Sequence, residues 1–199
     1  MSTSEPHDRY HHGDLRRALV EAALELLLEG GTEALGMREL ARRGGVSAAA
    51  PYRHFRDKQA LIQAVAAAGF ALFLEAIDKA KADVPAEEQF GAMAEAYVQF
   101  ALRYPRLYRL MFSSELGKFE DKELRRAADA AYESLAVAAA RQDPEAPGEA
   151  AISAWAFVHG LSMLLLDEQL LGVSAANAEP LIRKLTRRQA RRFGNPRSA

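Results

Sequence analysis

Helical periodicity runs along almost the whole chain and limits the folds that this chain can adopt. Apolar residues recur every three or four positions, whereas the alternating runs of β-branched residues that indicate strands do not occur. Alanine, leucine, glutamate and arginine, which all favour helices, dominate the sequence. Glycine and proline divide the periodic stretches into roughly nine segments. The pattern predicts an all-α protein without internal repeats or a low-complexity linker.

Start and stop signals give the bounds of the predicted helices. Asp14 and Ser47 are good N-caps, and Gly30-Gly31 and Gly44-Gly45 are stop signals. The predicted helices cover about residues 14–30, 37–43, 47–55, 57 to the break at Pro85, 85–104, 105–112, 121–141, 149–170 and 178–193. Three short helices therefore precede a bundle of longer ones. We place the domain boundary between them, with an N-terminal arm and helix-turn-helix domain over residues 1–58 and a larger bundle domain over residues 59–199.

Composition excludes whole classes of site. The chain has 199 residues, is 49% apolar and contains no cysteine, which excludes disulfides, zinc fingers and thiol catalysis. The first residues lack the apolar segment of a secretory signal, so we expect a cytoplasmic protein. The uncharged stretch from Ala150 to Leu166 is short for a membrane span and includes His159. We expect it to form a buried helix that is covered on both sides, and no membrane association.

Basic residues are concentrated in one part of the N-terminal domain. The formal net charge of the chain is −1, yet six basic and only two acidic residues lie between Arg38 and Lys58. A basic patch on a near-neutral protein is typical of a localised phosphate contact. The same run is also compatible with an ordinary solvated helix face. A second basic stretch, over residues 180–199, has seven basic residues and no acidic one, and we read it as a solvated face.

The patch coincides with the ingredients of a helix-turn-helix. A short predicted helix over residues 37–43 is followed by the turn Gly44-Gly45-Val46 and a second short predicted helix over 47–55. Val46 and Phe55 are expected to fill the core of this unit. In such a motif the N-terminal residues of the second helix enter the major groove of DNA. We therefore predict that the helix over 47–55 is the recognition helix.

The residues of this motif resemble one known family closely. The segment Met37–Ser47, then Tyr52-Arg53-His54-Phe55 and Asp57–Leu61, is similar to the DNA-binding domain of the TetR family, over about residues 14–62. The rest of the chain resembles that family's ligand-binding and dimerisation domain. Trp155–Gly160 resembles the Trp-His-Gly signature of one C-terminal subfamily.

The resemblance implies a ligand-responsive transcriptional regulator, expected to be a repressor. A homodimer would place its two recognition helices in successive major grooves of a palindromic operator, and a small molecule would release the DNA. Position by position, the resemblance implies DNA contacts for Arg38, Ser47, Ala48, Ala49, Tyr52, Arg53, His54 and Lys58. Gly36 stands where the family usually has Ser or Thr, so one helix N-cap is missing. Pro51 replaces a larger apolar residue and biases Ala50 away from helical geometry.

Chemistry divides these contacts into two kinds. The Tyr52 hydroxyl, the Lys58 ammonium and the amides at the start of the fourth predicted helix suit phosphates. The run of three alanines from Ala48 to Ala50 offers only methyl groups, which can meet a thymine methyl but cannot hydrogen-bond to base edges. We therefore predict modest direct readout, with much of the specificity coming from DNA shape.

The larger domain carries aromatic and soft apolar residues on several predicted helices. For any one of them ordinary core packing is the simpler interpretation, but together they are compatible with a cavity for a largely apolar effector. His159 is compatible with either a hydrogen-bonded core residue or a ligand contact. The predicted ligand-binding residues are Phe70, Phe73, Met93, Tyr97, Phe100, Met111, Trp155, His159 and Met163.

Two other classes of function remain as alternatives. His159, Ser162 and Asp167 are triad residue types on a single predicted helix, and no phosphate-binding glycine loop exists, so we expect no enzyme and no cofactor. His7 and His11 have a metal-ligand spacing but no carboxylate scaffold, so we expect no metal site. A helical protein-interaction adaptor without DNA binding is the remaining alternative. Salt-dependent binding to duplex DNA would separate it from the regulator.

Overall fold

The computed structural model describes residues 12–117 and 121–193, and these residues confirm the all-α fold. The N-terminal arm, including His7 and His11, lies outside the described residues. The α-helices of the described ranges are α1 (His12–Gly30), α2 (Met37–Arg43), α3 (Lys58–Ala82), α4 (Gln89–Arg103), α5 (Pro105–Met111), α6 (Lys122–Gln142), α7 (Pro147–Leu166) and α8 (Glu179–Phe193). Short 3-10 helices cover Thr32–Ala34, Pro51–Arg53 and Ser114–Leu116.

Most helix ends follow from local residues. Gly31 has a φ of 73°, and its amide donates to the Leu27 carbonyl at 2.8 Å, which ends α1 where the sequence predicts. The Asp121 carboxylate accepts a hydrogen bond from the Leu124 amide at 2.7 Å and caps the start of α6. Gly36 precedes α2 in an extended conformation, without a side-chain cap, as its lack of a side chain dictates.

Two predicted bounds are wrong by about one turn. α4 begins at Gln89 rather than at Pro85, because the amide of Glu88 bonds to the Pro85 carbonyl in a turn. α7 ends at Leu166 rather than at residue 170. Glu168 adopts a φ of 53° there, and left-handed backbone cannot continue a helix.

The segment over residues 47–54, which we call the recognition segment, is a tight turn followed by the 3-10 helix Pro51–Arg53, not the predicted α-helix. The expected bias at Ala50 is also wrong, because Ala50 has helical dihedral angles of −61° and −44°. Pro51 acts instead through its missing N–H, which cannot donate to the Ser47 carbonyl. The Ala50 amide donates to the Ser47 carbonyl instead, at 2.9 Å. This bond spans three residues rather than four, which is the pattern of 3-10 geometry.

The chain divides into two compact units, residues 1–65 and residues 66–199. The functional boundary between residues 58 and 59 stays a prediction. In the first unit, α1, α2 and the recognition segment enclose a core. The fully or almost fully buried side chains of this core are Leu19, Ala23, Leu26, Leu27, Leu35, Leu40, Ala41, Phe55 and Leu61.

The second unit is a helical bundle. α4 packs on α5, α7 and α8, and α6 packs on α7. Gly69 of α3 allows close packing on α5: a Cβ atom there would lie 2.7 Å from Leu107 Cδ1 and 2.9 Å from Met111 Sδ. The apolar ends of several helices meet in a cluster around Phe90, with Ala139, Ala150, Ala151 and Ala154.

α3 and α7 are long and apolar enough to cross a membrane by length and composition alone. Core helices of helical bundles have the same properties, and in both helices many residues are buried within the protein. α7 is nevertheless covered on one side only. Ile152 and Leu164 on its other side remain 61% and 45% exposed in a single chain.

Candidate functional site

The recognition segment is held from behind and open in front. Ala50, Pro51 and the adjoining Phe55 are buried against the core of the first unit. Gly44 permits the approach of the preceding turn to α1, since a Cβ atom there would lie 3.2 Å from Leu19 Cδ2. Arg16 covers the Phe55 ring, with its guanidinium carbon 5.6 Å from the ring centroid. The segment therefore has a firm base on α1.

The residues predicted to contact DNA all reach the surface of the first unit. Seven of them are exposed, including Tyr52 with 55% of its surface accessible, and His54 is half-buried. The exposed ones are Arg38, Ser47, Ala48, Ala49, Tyr52, Arg53 and Lys58. A DNA-contacting role requires this exposure, but the contacts themselves stay predictions.

Ion pairs divide the basic patch into two sets. Arg43 joins the end of α2 to α1, with Nη2 2.5 Å from Glu29 Oε2 and Nη1 3.4 Å from Glu25 Oε2. Arg42 pairs with Glu39 at 2.6 Å, and Arg56 pairs with Asp57 at 3.0 Å. Within the described part of the chain, no carboxylate pairs with the remaining three cations. These are Arg38, Arg53 and Lys58, all predicted DNA contacts.

The start of α3 is less open to phosphate than the sequence suggests. The Asp57 carboxylate accepts a hydrogen bond from the Ala60 amide at 2.8 Å and caps the helix. This amide bond holds the pKa of Asp57 below its ordinary value, since it favours the charged carboxylate. The predicted use of these amides for phosphate is thus wrong for Ala60, whose amide is already occupied. Lys58 remains as the phosphate-type group at this position.

The second unit contains a cavity of about 530 Å³. Its wall is mainly apolar and aromatic and comes from α3, α4, α6, α7 and the segment after α5. The lining residues are Phe70, Phe73, Ile77, Met93, Ala94, Tyr97, Phe112, Ser113, Ser114, Gly117, Arg125, Ala128, Asp129, Ala131, Tyr132, Ser134, Leu135, Trp155 and Val158. Its size is within the range of pockets for small organic ligands.

The nine predicted ligand-binding residues fall into two groups. Five of them line the cavity, namely Phe70, Phe73, Met93, Tyr97 and Trp155. Phe100 lies outside the lining, with its ring edge-on to Phe73 at 5.3 Å. Met111 is fully buried near Gly69, and Met163 is half-buried on α7; neither of them lines the cavity.

His159, the ninth, joins a polar network beside the cavity. Its Nδ1 atom lies 2.7 Å from the Tyr108 hydroxyl and 3.2 Å from the Tyr97 hydroxyl, and the two hydroxyls are 3.2 Å apart. Trp155 Nε1–H donates to the Tyr97 hydroxyl at 3.3 Å. Burial raises the pKa of Tyr108 to about 12 and that of Tyr97 still further above its ordinary value. His159 therefore positions the aromatic wall through hydrogen bonds.

Sequence reasoning missed the α6 side of the cavity. Arg125, Asp129 and Tyr132 line it, and the Tyr132 ring lies edge-on to Trp155 with centroids 5.8 Å apart. These residues lie on a helix of alanines and charged residues, which lacks the run of large apolar side chains that predicts a cavity wall. The spacing of positions 125, 129 and 132 was a usable signal, because such positions share one helix face.

Both units match known families. A family model described as bacterial regulatory proteins, tetR family, matches residues 19–65. A second, described as the tetracyclin repressor-like C-terminal domain, matches residues 90–189. The narrower Trp-His-Gly subfamily stays a prediction.

Curated relatives match about a quarter of the chain. The class C tetracycline repressor protein of Escherichia coli is 49% identical over 53 residues, which are 27% of this chain and 24% of the repressor. The class A tetracycline repressor protein from transposon 1721, also of Escherichia coli, is 50% identical over 50 residues, which are 25% of this chain and 23% of that protein. The matched part thus spans about a quarter of the length of these relatives.

Solved structures match nearly the whole chain. A protein of unknown function from Rhodococcus sp. RHA1 is 31% identical, with a TM-score of 0.78 over 95% of this chain and 100% of that one. The TetR family transcriptional regulator PfmR from Thermus thermophilus has the same fold at 20% identity, with a TM-score of 0.58 over 87% of this chain and 97% of that one. These structures show the fold, and the two family models together show that the chain belongs to the TetR family of DNA-binding transcriptional regulators.

Proposed function

We propose that this protein is a ligand-responsive repressor that binds a palindromic operator as a homodimer and releases it when an effector fills the cavity. The observation that carries the DNA-binding part is the exposed recognition segment, which contains Arg53, together with Arg38 on α2 and Lys58 at the start of α3. Among the described residues, no carboxylate pairs with these three cations. Cations that are not neutralised within the protein remain available to phosphates.

Contacts with DNA divide by chemistry. The Lys58 ammonium and the Tyr52 hydroxyl bind phosphates and set the register, and Arg38 contacts the backbone from α2. Ser47, Ala48 and Ala49 face the bases with one hydroxyl and two methyl groups. Because Ala50 is buried, only two of the three alanines are open to DNA. Arg53 and His54 then supply the remaining polar readout.

The exposed side of α7 supports a homodimer. Four residues spaced four apart form a stripe on this side: Ile152, Ala156, Gly160 and Leu164. A Cβ atom on Gly160 would meet nothing within 4 Å, so the space beside it is open to a second helix. A second copy of the chain covers this stripe best, since an isologous interface buries the same apolar stripe on both subunits.

The stripe can be tested by its effect on assembly. Replacing Ile152 and Leu164 together by glutamate is expected to convert a dimer into a monomer in sedimentation equilibrium. Val137→Glu is the matched control, since Val137 is also an exposed apolar residue (48%) but lies on α6. A variant that stays dimeric would place the interface elsewhere.

Effector binding can control the operator through geometry. Half-sites about 34–36 Å apart require a matching separation of the two recognition segments. α3 belongs to both units by its residue range, and Phe70 and Phe73 on it line the cavity. A ligand that shifts α3 then changes that separation and lowers DNA affinity. By linkage, operator DNA must lower effector affinity by the same factor.

The proposal extends to location and chemistry. We expect a cytoplasmic protein without a membrane partner, catalytic activity, metal or cofactor. The alternative is a helical adaptor that binds another protein and not DNA. An exposed recognition segment is also compatible with an adaptor. The decisive measurement is therefore whether the protein binds duplex DNA.

Selection from random duplex DNA by the purified protein tests the function. We expect a palindromic sequence to be enriched at low salt, with thymines opposite Ala48 and Ala49. The double variant Arg53→Ala with Lys58→Ala should lose this binding by at least about a hundredfold, as one base contact and one phosphate contact disappear. Arg187→Ala with Arg188→Ala, on the exposed side of α8, is the control and should bind normally. Failure to retain any duplex at low salt would favour the adaptor.

A further inference from the structure

The cavity also indicates the chemistry of its ligand. We infer that the effector is an apolar carboxylic acid whose carboxylate binds Arg125 while its hydrocarbon part fills the aromatic interior. This inference rests on the effector site proposed above and adds the class of head group.

The polar side chains in and beside the interior of the cavity already have hydrogen-bond partners within the protein. The hydroxyls of Tyr97 and Tyr108, the His159 ring and the Trp155 N–H bond to one another at 2.7–3.3 Å. In the described part of the chain, no buried side-chain nitrogen or oxygen lacks a partner. A polar ligand atom placed against Phe70 or Phe73 would lose its water and gain little in return. The inner part of the ligand is therefore hydrocarbon.

Charge enters the cavity on one helix. Of the described lining residues, only Arg125 and Asp129 carry a formal charge, and both lie on α6. Arg125 Nε lies 3.6 Å from Asp129 Oδ2, and their side chains are 58% and 71% exposed. An exposed pair at that distance is weak, so a ligand can replace one partner without leaving a buried charge unpaired.

The guanidinium is the better anchor of the two. Its planar set of donors binds a carboxylate with two parallel hydrogen bonds, a geometry that Asp129 cannot offer to an ammonium. Arg125 also lies in the first turn of α6, where the helix dipole favours negative charge. The hydroxyl of Ser114 is an additional donor in the lining. Together these groups favour an anion over a cation.

Three probes with one hydrocarbon chain and different head groups test the inference: decanoate, 1-decanol and decylammonium. Trp155 is the single tryptophan of the chain and lines the cavity, so its fluorescence reports occupancy. We expect decanoate to bind about tenfold more tightly than decanol, as one charge-assisted contact provides. Arg125→Gln should reduce decanoate to the affinity of decanol and leave decanol unchanged.

Matched variants make the test specific. Arg126→Gln removes the next arginine of α6, which does not line the cavity, and should leave decanoate binding unchanged. Asp129→Asn removes the competing carboxylate and should strengthen decanoate binding. Equal affinities for all three probes, or tightest binding of decylammonium with loss in Asp129→Asn, would overturn the head-group inference but leave the effector site standing. If none of the probes changed the Trp155 emission, the inference and the effector site would both fail.

Discussion

The recognition segment and the cavity wall solve opposite structural problems. The segment presents small side chains such as Ala48 and Ala49 outward on a base of buried residues, so that few contacts within the chain depend on them. The cavity wall presents large rings inward, and each ring packs against at least one other. Phe73, for example, lies edge-on to Tyr97 at 5.1 Å and to Phe100 at 5.3 Å.

The two regions differ in whether their predicted functional residues also stabilise the fold. In the first unit most of the residues predicted to face DNA are exposed and are separate from those that form the core. In the second unit several of the residues that line the cavity are themselves part of the core, since Phe70, Met93 and Tyr97 are each at least 96% buried. Substitutions of exposed residues in the recognition segment should thus change the preferred DNA sequence without changing stability. Substitutions of buried cavity residues should change both ligand binding and stability.

The largest expected effect tests this contrast directly. Phe73→Ala should lower the free energy of unfolding by about 3 kcal/mol or more, since it removes a buried ring and enlarges the cavity. Ala49→Ser should change it by less than about 0.5 kcal/mol, because Ala49 is exposed. Urea unfolding of both variants gives the comparison. Equal losses would show that the recognition segment is tied to the fold as strongly as the wall is.

The second-largest expected effect is a loss of folding stability at alkaline pH, which arises from the tyrosine network. The folded-state pKa values of Tyr97 and Tyr108 are raised, so their stabilisation is complete below the unfolded-state pKa of about 10. It is lost as the pH rises toward about 12, at up to about 1.4 kcal/mol per pH unit for each tyrosine. Tyr97→Phe with Tyr108→Phe should flatten this decline in unfolding measurements. Tyr132→Phe, which leaves the network intact, should retain it.

A smaller effect is expected for a single phosphate contact. Lys58→Ala should reduce the slope of log affinity for DNA against log salt by about one for each half-site. The preferred DNA sequence should not change, because phosphates carry no base identity. Lys79→Ala, an exposed lysine at the other end of α3, is the control. If the slope stayed unchanged in Lys58→Ala, Lys58 would not contact a phosphate in the complex.

The smallest expected effect concerns the cap of α3. Asp57→Ala should lower the melting temperature by a few degrees at neutral pH, whereas Asp57→Asn, which can still accept from the Ala60 amide, should lower it less. Because the pKa of Asp57 is depressed, its stabilisation is present above the unfolded-state pKa of about 3.9 and is lost as the pH falls through the folded value. The difference between wild type and Asp57→Ala should therefore shrink in acid.

Local residues predicted the helices but not every conformation between them. Caps and glycines act within a few residues, so the end of α1 at Gly30 and the start of α6 after Asp121 could be read from the sequence. The sequence marks Pro51 as unusual, but it predicts a bias at Ala50 rather than the 3-10 helix that the structure has. The choice between an α-turn and a 3-10 turn depends on which amide donates to the Ser47 carbonyl. Composition does not reveal which amide this is.

The cavity shows where periodicity stops being informative. Apolar spacing identifies residues that are buried, and Phe100 and Met111 are indeed buried. It does not tell whether a buried residue faces a neighbour or an empty space, because that depends on helices distant in sequence. For the same reason apolar spacing does not identify the alanine-rich helix α6 as a cavity wall, although α6 supplies both charges of the described lining.

The alanines of the recognition segment have a consequence for how such regulators diversify. Ala48 and Ala49 project beyond the base of the segment, so longer polar side chains at these positions would extend into solvent or into the groove without displacing the core. Under the proposed function, a duplicated copy of this gene could thus acquire a new target sequence by one or two substitutions while keeping its effector. Operator choice and signal choice can then evolve independently.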